Sequence, residues 1–251
     1  MKQSNNPSNS SHKPIRLNRF ISQCGMASRR KADELIQKGH IKINGKVITE
    51  LGTKIDPEKD HIQYKNQTLS TKKLVYLVLN KPGNTITTVK DTHNRKTVMD
   101  LIDDEMSEFG LFPIGRLDKD TTGVLIISND GELSNKLLHP SQEIEKVYKV
   151  TLNKNLKDSD YNQLKNGIHL EDGLIKPDDI AFPDKTQRNT VGIEIHSGKN
   201  RIVRRMFKSL GYHVDKLDRT LFAGISTQNL PIGQYRMLKK YELINLWKLV
   251  S

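Results

Sequence analysis

Short apolar runs of the β-strand type recur from residue 74 to the C-terminus, and this pattern restricts the fold more than any other feature of the chain. The clearest runs are LVYLVLNKP (74–82), VLIIS (124–128), VYKVTL (147–152) and VGIEIH (191–196). Helical spacing appears between them at 132–139 and 200–210. Many strands with few helices are typical of α+β proteins. We therefore predict an α+β domain over residues 74–251, built on a mostly antiparallel mixed sheet with flanking helices.

The first 73 residues have a different pattern. Residues 1–14 are rich in Asn and Ser and lack apolar periodicity, which is typical of a disordered tail. Two short amphipathic helices should follow. The first is indicated by apolar residues at helical spacing, namely Leu17, Phe20, Ile21 and Cys24. The second has Ser28 as a candidate N-cap and Gly39 at its end.

The stretch IKINGKVI alternates apolar and polar residues around Asn44-Gly45, a strong hairpin signal. Residues 63–73 are polar and are predicted to be a linker. The small helix-helix-hairpin domain and its linker would then occupy residues 15–73, and the α+β domain residues 74–251.

The positive charge of the chain is concentrated near its N-terminal end. The whole chain has 41 Lys and Arg against 29 Asp and Glu, a net charge of +12. Residues 15–73 alone carry 13 basic and 6 acidic side chains. Arg29, Arg30 and Lys31 fall in the first turn of the second helix, where free amides favour anions but cations are unfavourable for the helix. A polyanionic partner, bound through its phosphates, is therefore predicted.

Several classes of protein are disfavoured by composition. No apolar run approaches the ~20 residues that span a bilayer, and the N-terminus lacks the apolar segment of a signal peptide. A single cysteine excludes an intrachain disulfide and a Cys-based zinc site. His139, His196 and His213 lack the spacing of metal ligands. We expect a cytoplasmic protein with no metal site and no membrane partner, and a monomer by default.

The stretch GRLDKDTTG (115–123) is the first candidate for chemistry. It follows the apolar run LFPI and precedes the strand VLIIS, so Asp118 and Asp120 should lie on a loop between two strands. The spacing is compatible with a carboxylate pair that binds Mg²⁺, with a glycosidase acid/base pair, or with a solvated turn. The residues of the loop alone leave these three interpretations open.

A basic helix is the second candidate. In SGKNRIVRRMFKSLG, the cations Arg201, Arg204, Arg205 and Lys208 recur along one predicted helix face. Apolar residues occupy the opposite face, and Gly211 follows the helix. Like charges at this spacing repel each other, so the helix requires a compensating anion. That anion could be an RNA phosphate, an internal carboxylate, or both.

Residues 15–62, with the stretch RLNRFISQCGMASRRKADELIQKGHIKINGKVI, closely resemble the S4 RNA-binding domain. The similarity includes the helix-helix-hairpin order, the basic SRRKA turn and the INGK hairpin. The resemblance implies that a set of cations lies along an RNA-binding face, namely Arg29, Arg30, Lys31 and Lys46.

A second resemblance covers roughly residues 15–245. GRLDKDTTGVLIISNDGELSNKLLHPSQEIEKVYKV together with GKNRIVRRMF is similar to bacterial ribosomal-RNA pseudouridine synthases of the RsuA/RluB branch, with the large-subunit (RluB-type) enzymes most alike. Members isomerise a chosen uridine of RNA to pseudouridine without cofactor or metal. The resemblance implies ribosomal RNA as the partner, either 23S rRNA or a large-subunit assembly intermediate. The alternative is a non-catalytic RNA-binding or ribosome-assembly factor.

The resemblance also implies roles for individual residues. Asp118 would be the catalytic nucleophile, with Arg116 helping to move the target base. Tyr148 would stack on the flipped uracil, although without the resemblance it would be taken as strand core. Arg204 would pair with Asp118. The RNA-binding set would be completed by Arg201, Arg205 and Lys208.

The chain departs from the family pattern at two positions. After the first strand, Pro82 is followed directly by Gly83-Asn84, where the family usually has KPxG. Ile202 stands where a polar residue is common. The first departure implies a different turn, and the second a changed contact near the active site.

Overall fold

The computed structural model describes residues 14–184 and 186–251. Contacts in this part of the chain form two compact units. One comprises the described residues up to Lys73 together with Glu108–Gly110, and the other comprises Leu74–Ser107 and Leu111–Ser251. The tail predicted to be disordered, residues 1–14, lies outside the described residues except for Pro14.

The first unit contains two helices and two small sheets. Its elements are β1 (Ile15–Arg16), α1 (Leu17–Gln23), α2 (Arg29–Gln37), β2 (Ile41–Ile43), β3 (Lys46–Ile48), β4 (Lys54–Ile55), β5 (Ile62–Tyr64) and β6 (Gln67–Thr68). The strands pair as β1-β4 and as a sheet in the order β3-β2-β5-β6. The apolar faces of both helices are buried in one cluster with Ile41, Ile55 and Ile62.

The local signals of this unit are confirmed. The Ser28 side chain accepts a hydrogen bond from the amide of Lys31 and so caps α2. Asn44 and Gly45 both have positive φ, as the tight hairpin turn requires. Cys24 is buried at the end of α1. The predicted linker over 63–73 is wrong in its first part, because β5 and β6 pair there and widen the sheet.

The second unit is larger. Its strands are β7 (Tyr76–Lys81), β8 (Phe112–Pro113), β9 (Thr121–Ser128), β10 (Lys146–Leu152), β11 (Ile168–Leu170), β12 (Gly173–Ile175), β13 (Asp179–Ala181), β14 (Thr190–Ile195), β15 (Val214–Phe222), β16 (Ile225–Ser226) and β17 (Tyr235–Met237). Its helices are α3 (Asp104–Ser107), α4 (Gly131–Leu138), α5 (Asp158–Asn166), α6 (Ile202–Ser209) and α7 (Lys240–Leu249), with short 3₁₀ turns at Met99–Leu101 and Pro140–Gln142.

Nine of these strands form one sheet, in the order β13-β14-β10-β15-β9-β7-β17, with β16 beside β15 and β8 beside β9. The neighbours run antiparallel except for β15 and β9, which are parallel. The predicted mostly antiparallel mixed sheet is therefore confirmed. One apolar cluster packs α6 against β10, β14 and β15, and a second packs α4 and α7 against β7 and β9. No helix in the described residues is long and apolar enough to cross a membrane.

The parallel pair depends on a glycine. We expected Gly123 to precede its strand, but β9 already begins at Thr121. Gly123 has φ +100° and lies opposite Arg219 of β15, and a Cβ added there would lie 2.2 Å from the Arg219 carbonyl oxygen. A residue with a side chain cannot fit this contact. Gly123 thus permits the close approach of β9 and β15 just after the loop that carries Asp118.

Candidate active site

The loop that carries Asp118 joins β8 to β9, and its backbone is tied to a neighbouring segment. The Thr87 hydroxyl donates to the Leu117 carbonyl oxygen (2.8 Å) and accepts from the Leu117 amide (3.3 Å). The Thr85 amide donates to the Lys119 carbonyl oxygen, and the Thr121 amide to that of Asp118 (3.1 Å). The Leu117 side chain is buried. These bonds hold the Asp118 backbone in one place rather than in a solvated turn.

The buried side chain of Lys81 also stabilises the loop that carries Asp118. Its side chain is fully buried, and Nζ donates to three carbonyl oxygens, those of Pro82 (3.0 Å), Lys119 (3.1 Å) and Thr121 (2.8 Å). All three N–H groups of the ammonium are therefore used. Burial lowers the pKa of Lys81 to about 8, against the opposing effect of the nearby Asp120 and Asp118 carboxylates. Sequence reasoning missed this residue, although a lysine at the end of an apolar strand was a visible signal.

Replacing Lys81 with Met should loosen the loop. The three carbonyl groups would lose their donor inside the protein, which we expect to lower the Tm by roughly 5 °C. Displacement of Asp118 should reduce turnover about tenfold with little change in RNA affinity. Thermal unfolding and single-turnover kinetics on the same preparation check both values. A variant with lowered Tm but wild-type turnover would show that Lys81 supports only the fold.

Asp118 lies in a cleft beside a guanidinium. Arg201 Nη1 donates to Asp118 Oδ2 at 3.0 Å, and the Asp118 side chain is 28% exposed. The cleft has a volume of about 1180 Å³, and Arg116 and Tyr148 also line it. The structure therefore brings a half-buried carboxylate, a cation and an aromatic ring to one concave site.

Arg204 does not make the expected pairing with Asp118 in this structure, and its catalytic role stays a prediction. Arg204 Nη1 donates to the Val214 carbonyl oxygen (2.8 Å), and its Nε is buried without a partner among the described residues. Burial lowers the pKa of Arg204, and the nearby Arg201 adds to this effect, while the Asp118 and Asp120 carboxylates oppose it. The Asp118 and Asp120 carboxylates are thus close enough to affect the pKa of Arg204, but the hydrogen bond of Arg204 goes to the Val214 carbonyl oxygen instead.

The backbone conformation of Arg201 explains why Arg201, rather than Arg204, contacts Asp118. Arg201 is not part of the helix but its N-cap, with φ 49° and ψ 31° in the left-handed region. The predicted stripe placed it in register with Arg204 and Lys208, which assumed helical geometry at every position. A left-handed arginine is uncommon and is not indicated by periodicity. The apolar face of α6 and its end at Gly211 are confirmed, with Ile202, Val203, Met206 and Phe207 buried.

The predicted RNA-binding cations have different surroundings. Arg205 makes two hydrogen bonds to the Asp172 carboxylate, of 2.9 and 2.5 Å, and Lys208 is exposed in the last turn of α6. Arg205 lowers the pKa of Asp172 to about 2. Internal carboxylates therefore compensate part of the basic helix.

In the first unit, Arg29, Arg30, Lys31 and Lys46 are all exposed. Lys31 also forms an ion pair with Glu34 at 2.7 Å. These contacts do not test whether the cations bind RNA, so that role stays a prediction.

Tyr148 lies on β10, between Ile193 of β14 and Arg219 of β15. Arg219 is only 3% exposed and interacts with Tyr148. Its Nε and Nη2 donate to the Val124 carbonyl oxygen at 2.9 and 2.7 Å. Sequence reasoning missed Arg219, because a lone arginine in a strand has no pattern that marks it as buried.

His139 and His196 both line the cleft, and each makes its own contact with a neighbouring side chain. His196 Nδ1 is 2.8 Å from the Asp178 carboxylate, and His139 contacts Ser141. Over residues 14–184 and 186–251, no three His, Cys, Asp or Glu side chains come together as metal ligands would.

Comparison with known proteins agrees with this arrangement of elements. Residues 75–209 match the family described as RNA pseudouridylate synthase, and residues 15–62 match the S4 domain. A solved crystal structure of a pseudouridylate synthase has a TM-score of 0.66 at 29% identity, covering 92% of this chain and 99% of that chain.

Two relatives are similar over most of their length. Ribosomal large subunit pseudouridine synthase B of Bacillus subtilis (strain 168) is 39% identical over 234 residues, covering 92% of this chain and 95% of that protein. Dual-specificity RNA pseudouridine synthase RluF of Escherichia coli O6:H1 (strain CFT073) is 34% identical, covering 94% and 80%. This chain belongs to the RNA pseudouridylate synthase family. It is an isomerase with an N-terminal S4 domain, and the catalytic interpretation is favoured over the non-catalytic one.

Proposed function

We propose that this enzyme isomerises one uridine of large-subunit (23S) ribosomal RNA to pseudouridine, with Asp118 as the nucleophile. The observation that carries the proposal is the Asp118–Arg201 contact of 3.0 Å in a cleft that Tyr148 also lines. The choice of RNA is supported by the 39% identity to an enzyme named for the large ribosomal subunit. A ribosomal substrate would place the reaction in the cytoplasm, on free 23S rRNA or on an assembly intermediate.

The reaction requires a group that can attack and leave again. The bond between N1 of uracil and C1′ of ribose breaks, a bond between C5 and C1′ forms, the proton on C5 is lost to solvent, and N1 takes up a proton. The Asp118 carboxylate can add to C6 of the base or to C1′ of the sugar, or assist proton loss from the sugar, without any change of oxidation state. Arg201 orients this carboxylate through its hydrogen bond of 3.0 Å.

The target uridine must leave its base stack to reach Asp118. Flipping a base costs a few kcal/mol, and stacking on an aromatic ring offsets roughly 1–3 kcal/mol of that cost. Tyr148 lines the cleft and would provide this ring. Arg116, exposed on the Asp118 loop, would help to displace the base.

The S4 domain would hold the RNA while the cleft acts on it. Arg29 and Arg30 are exposed at the N-terminus of α2, where the helix also presents free amides, and Lys46 is exposed on β3. Arg201, Arg205 and Lys208 would extend the contact beside the cleft. We expect the enzyme to act as a monomer, which sedimentation would check.

Single substitutions of Arg29 or Arg30 with Ala should weaken RNA binding without sequence preference. Each loses one phosphate contact, so the slope of log Kd against log salt should fall by about one. Filter binding over a range of salt concentrations measures this slope. Lys38→Ala, at the opposite end of α2, is the matched control and should leave the slope unchanged. Equal effects at both ends would argue against a defined phosphate site.

The function is tested with 23S rRNA fragments that carry tritium at uridine C5. Joining the ring through C5 expels this atom, so the folded enzyme should release tritium to solvent. Release only from small-subunit fragments would reject the large-subunit assignment. Salt-dependent binding with no release from any fragment would favour an assembly factor. EDTA-sensitive strand cleavage would favour a Mg²⁺-dependent nuclease that uses Asp118 and Asp120.

A further inference from the structure

A second cationic site lies in the cleft, formed by Lys146 and Arg219. Both residues line the same cleft as Asp118 and Tyr148. Lys146 Nζ donates to the carbonyl oxygens of Ile144 (2.8 Å) and His196 (2.5 Å). An ammonium has three N–H groups, so one remains after these two bonds. Arg219 uses Nε and Nη2 on the Val124 carbonyl oxygen and keeps further N–H groups.

A bulge in β15 brings the two cations together. Val147 pairs with Leu221, but Tyr148 pairs with Arg219, so Thr220 is an extra residue on β15. Such a bulge changes the direction of the neighbouring side chains. The Arg219 guanidinium carbon accordingly lies 4.4 Å from the centre of the Phe222 ring, and Phe222 is the residue opposite Lys146. The guanidinium therefore extends along the strand toward Lys146.

Neither cation has a hydrogen bond to a carboxylate within residues 14–184 and 186–251; their hydrogen bonds go to backbone carbonyls and, for Arg219, also to the Tyr148 side chain. Burial lowers the pKa of Lys146 to about 8, Arg219 adds to this effect, and Asp178 opposes it. Asp178 itself is held by His196 at 2.8 Å. Burial also lowers the pKa of Arg219. Two partly desolvated positive charges are unfavourable in the free enzyme, and an anion between them would relieve this cost.

We propose that Lys146 and Arg219 bind one backbone phosphodiester of the RNA next to the flipped uridine. The proposal rests on the proposed function, which places that uridine beside Tyr148, the cross-strand neighbour of Arg219. A phosphodiester carries a full negative charge and two free oxygens, one for each cation. A neutral uracil carbonyl would not compensate two positive charges. Phosphate contacts of this kind set register and orientation rather than base identity.

The test neutralises single phosphates of the RNA substrate as methylphosphonates and compares wild-type enzyme with Lys146→Met. For the wild type, one position next to the target uridine should raise Kd and KM about tenfold, the loss of one charge-assisted hydrogen bond. For Lys146→Met, in which only the Arg219 contact remains, the same methylphosphonate should change Kd by only about threefold. This reduced effect identifies the phosphate that Lys146 contacts, which a purely structural role would not produce.

Two further variants keep the test decisive. Lys149→Met is the matched control, because Lys149 is exposed on the same strand and does not line the cleft. It should retain the tenfold effect of the methylphosphonate. Lys146→Arg keeps the charge and should restore most of it. Thermal unfolding of each variant shows whether loss of the carbonyl contacts has damaged the fold.

The proposal would be overturned if every methylphosphonate changed the Kd of the wild type and the Kd of Lys146→Met by the same factor. The proposal would also be overturned if Lys146→Met lowered kcat but no methylphosphonate affected the wild type and the variant differently. The two cations would then contact the base or support only the fold. Because Kd is measured without turnover, the result stands apart from the proposed function. An enzyme that binds this phosphate but releases no tritium would refute the proposed function and leave the phosphate site intact.

Discussion

Asp118→Asn should abolish isomerisation, with turnover reduced by at least about 10⁴-fold. Asn has the same shape and can still accept a hydrogen bond from Arg201, which lies 3.0 Å from the carboxylate. It lacks the negative charge and cannot form the covalent intermediate. The loop is held by backbone bonds to Thr85 and Thr87, so the substitution should leave Tm and RNA affinity nearly unchanged. Tritium release in single-turnover conditions measures the loss.

Asp120→Asn is the matched control for this experiment. Asp120 is exposed two residues further along the same loop, and its substitution should change turnover less than about fivefold. Residual activity above a tenth of wild type in Asp118→Asn would exclude Asp118 as the nucleophile. Equal losses in both variants would instead favour a site that uses the two carboxylates together.

Arg201→Met should lower turnover by roughly 10²- to 10³-fold, the usual effect of losing one charged group that orients or stabilises the reacting atoms. The Arg201 side chain is 52% exposed, so its loss should hardly alter the Tm. Arg204→Met should show the opposite pattern. Its guanidinium is half-buried and bonded to the Val214 carbonyl oxygen, so stability should fall while turnover changes less than tenfold.

Thermal unfolding and single-turnover rates on both variants separate the two arginines. If Arg204→Met is the inactive variant and Arg201→Met is nearly wild type, the pairing in the structure is not the one that serves catalysis. The comparison also tests how far a family resemblance can be carried to single residues. Arg201 and Arg204 are three positions apart in the same motif, and only one of them contacts Asp118.

Three cations that donate to backbone carbonyls form a further difference between pattern and structure. Lys81, Lys146 and Arg219 all donate to backbone carbonyls, and none has a carboxylate in its hydrogen-bond set. Lys81 uses all its donors within the protein, which suits a structural role beneath the loop. Lys146 retains a donor, which suits a ligand. The number of unused N–H groups therefore separates the two roles for residues of similar charge and burial.

The sequence by itself determined the local elements of this protein. Helical spacing, the Ser28 cap, the Asn44-Gly45 turn and the alternating runs of the large sheet act over a few residues, through sterics and through burial of one face. The resemblance identified the family from contiguous motifs. Tertiary structure alone decided which side chains meet. Asp118 meets Arg201 across 83 positions, Lys81 reaches Thr121 across 40, and Arg219 reaches Val124 across 95. Such contacts depend on strand order, on the bulge in β15 and on one left-handed residue, and no local period specifies these.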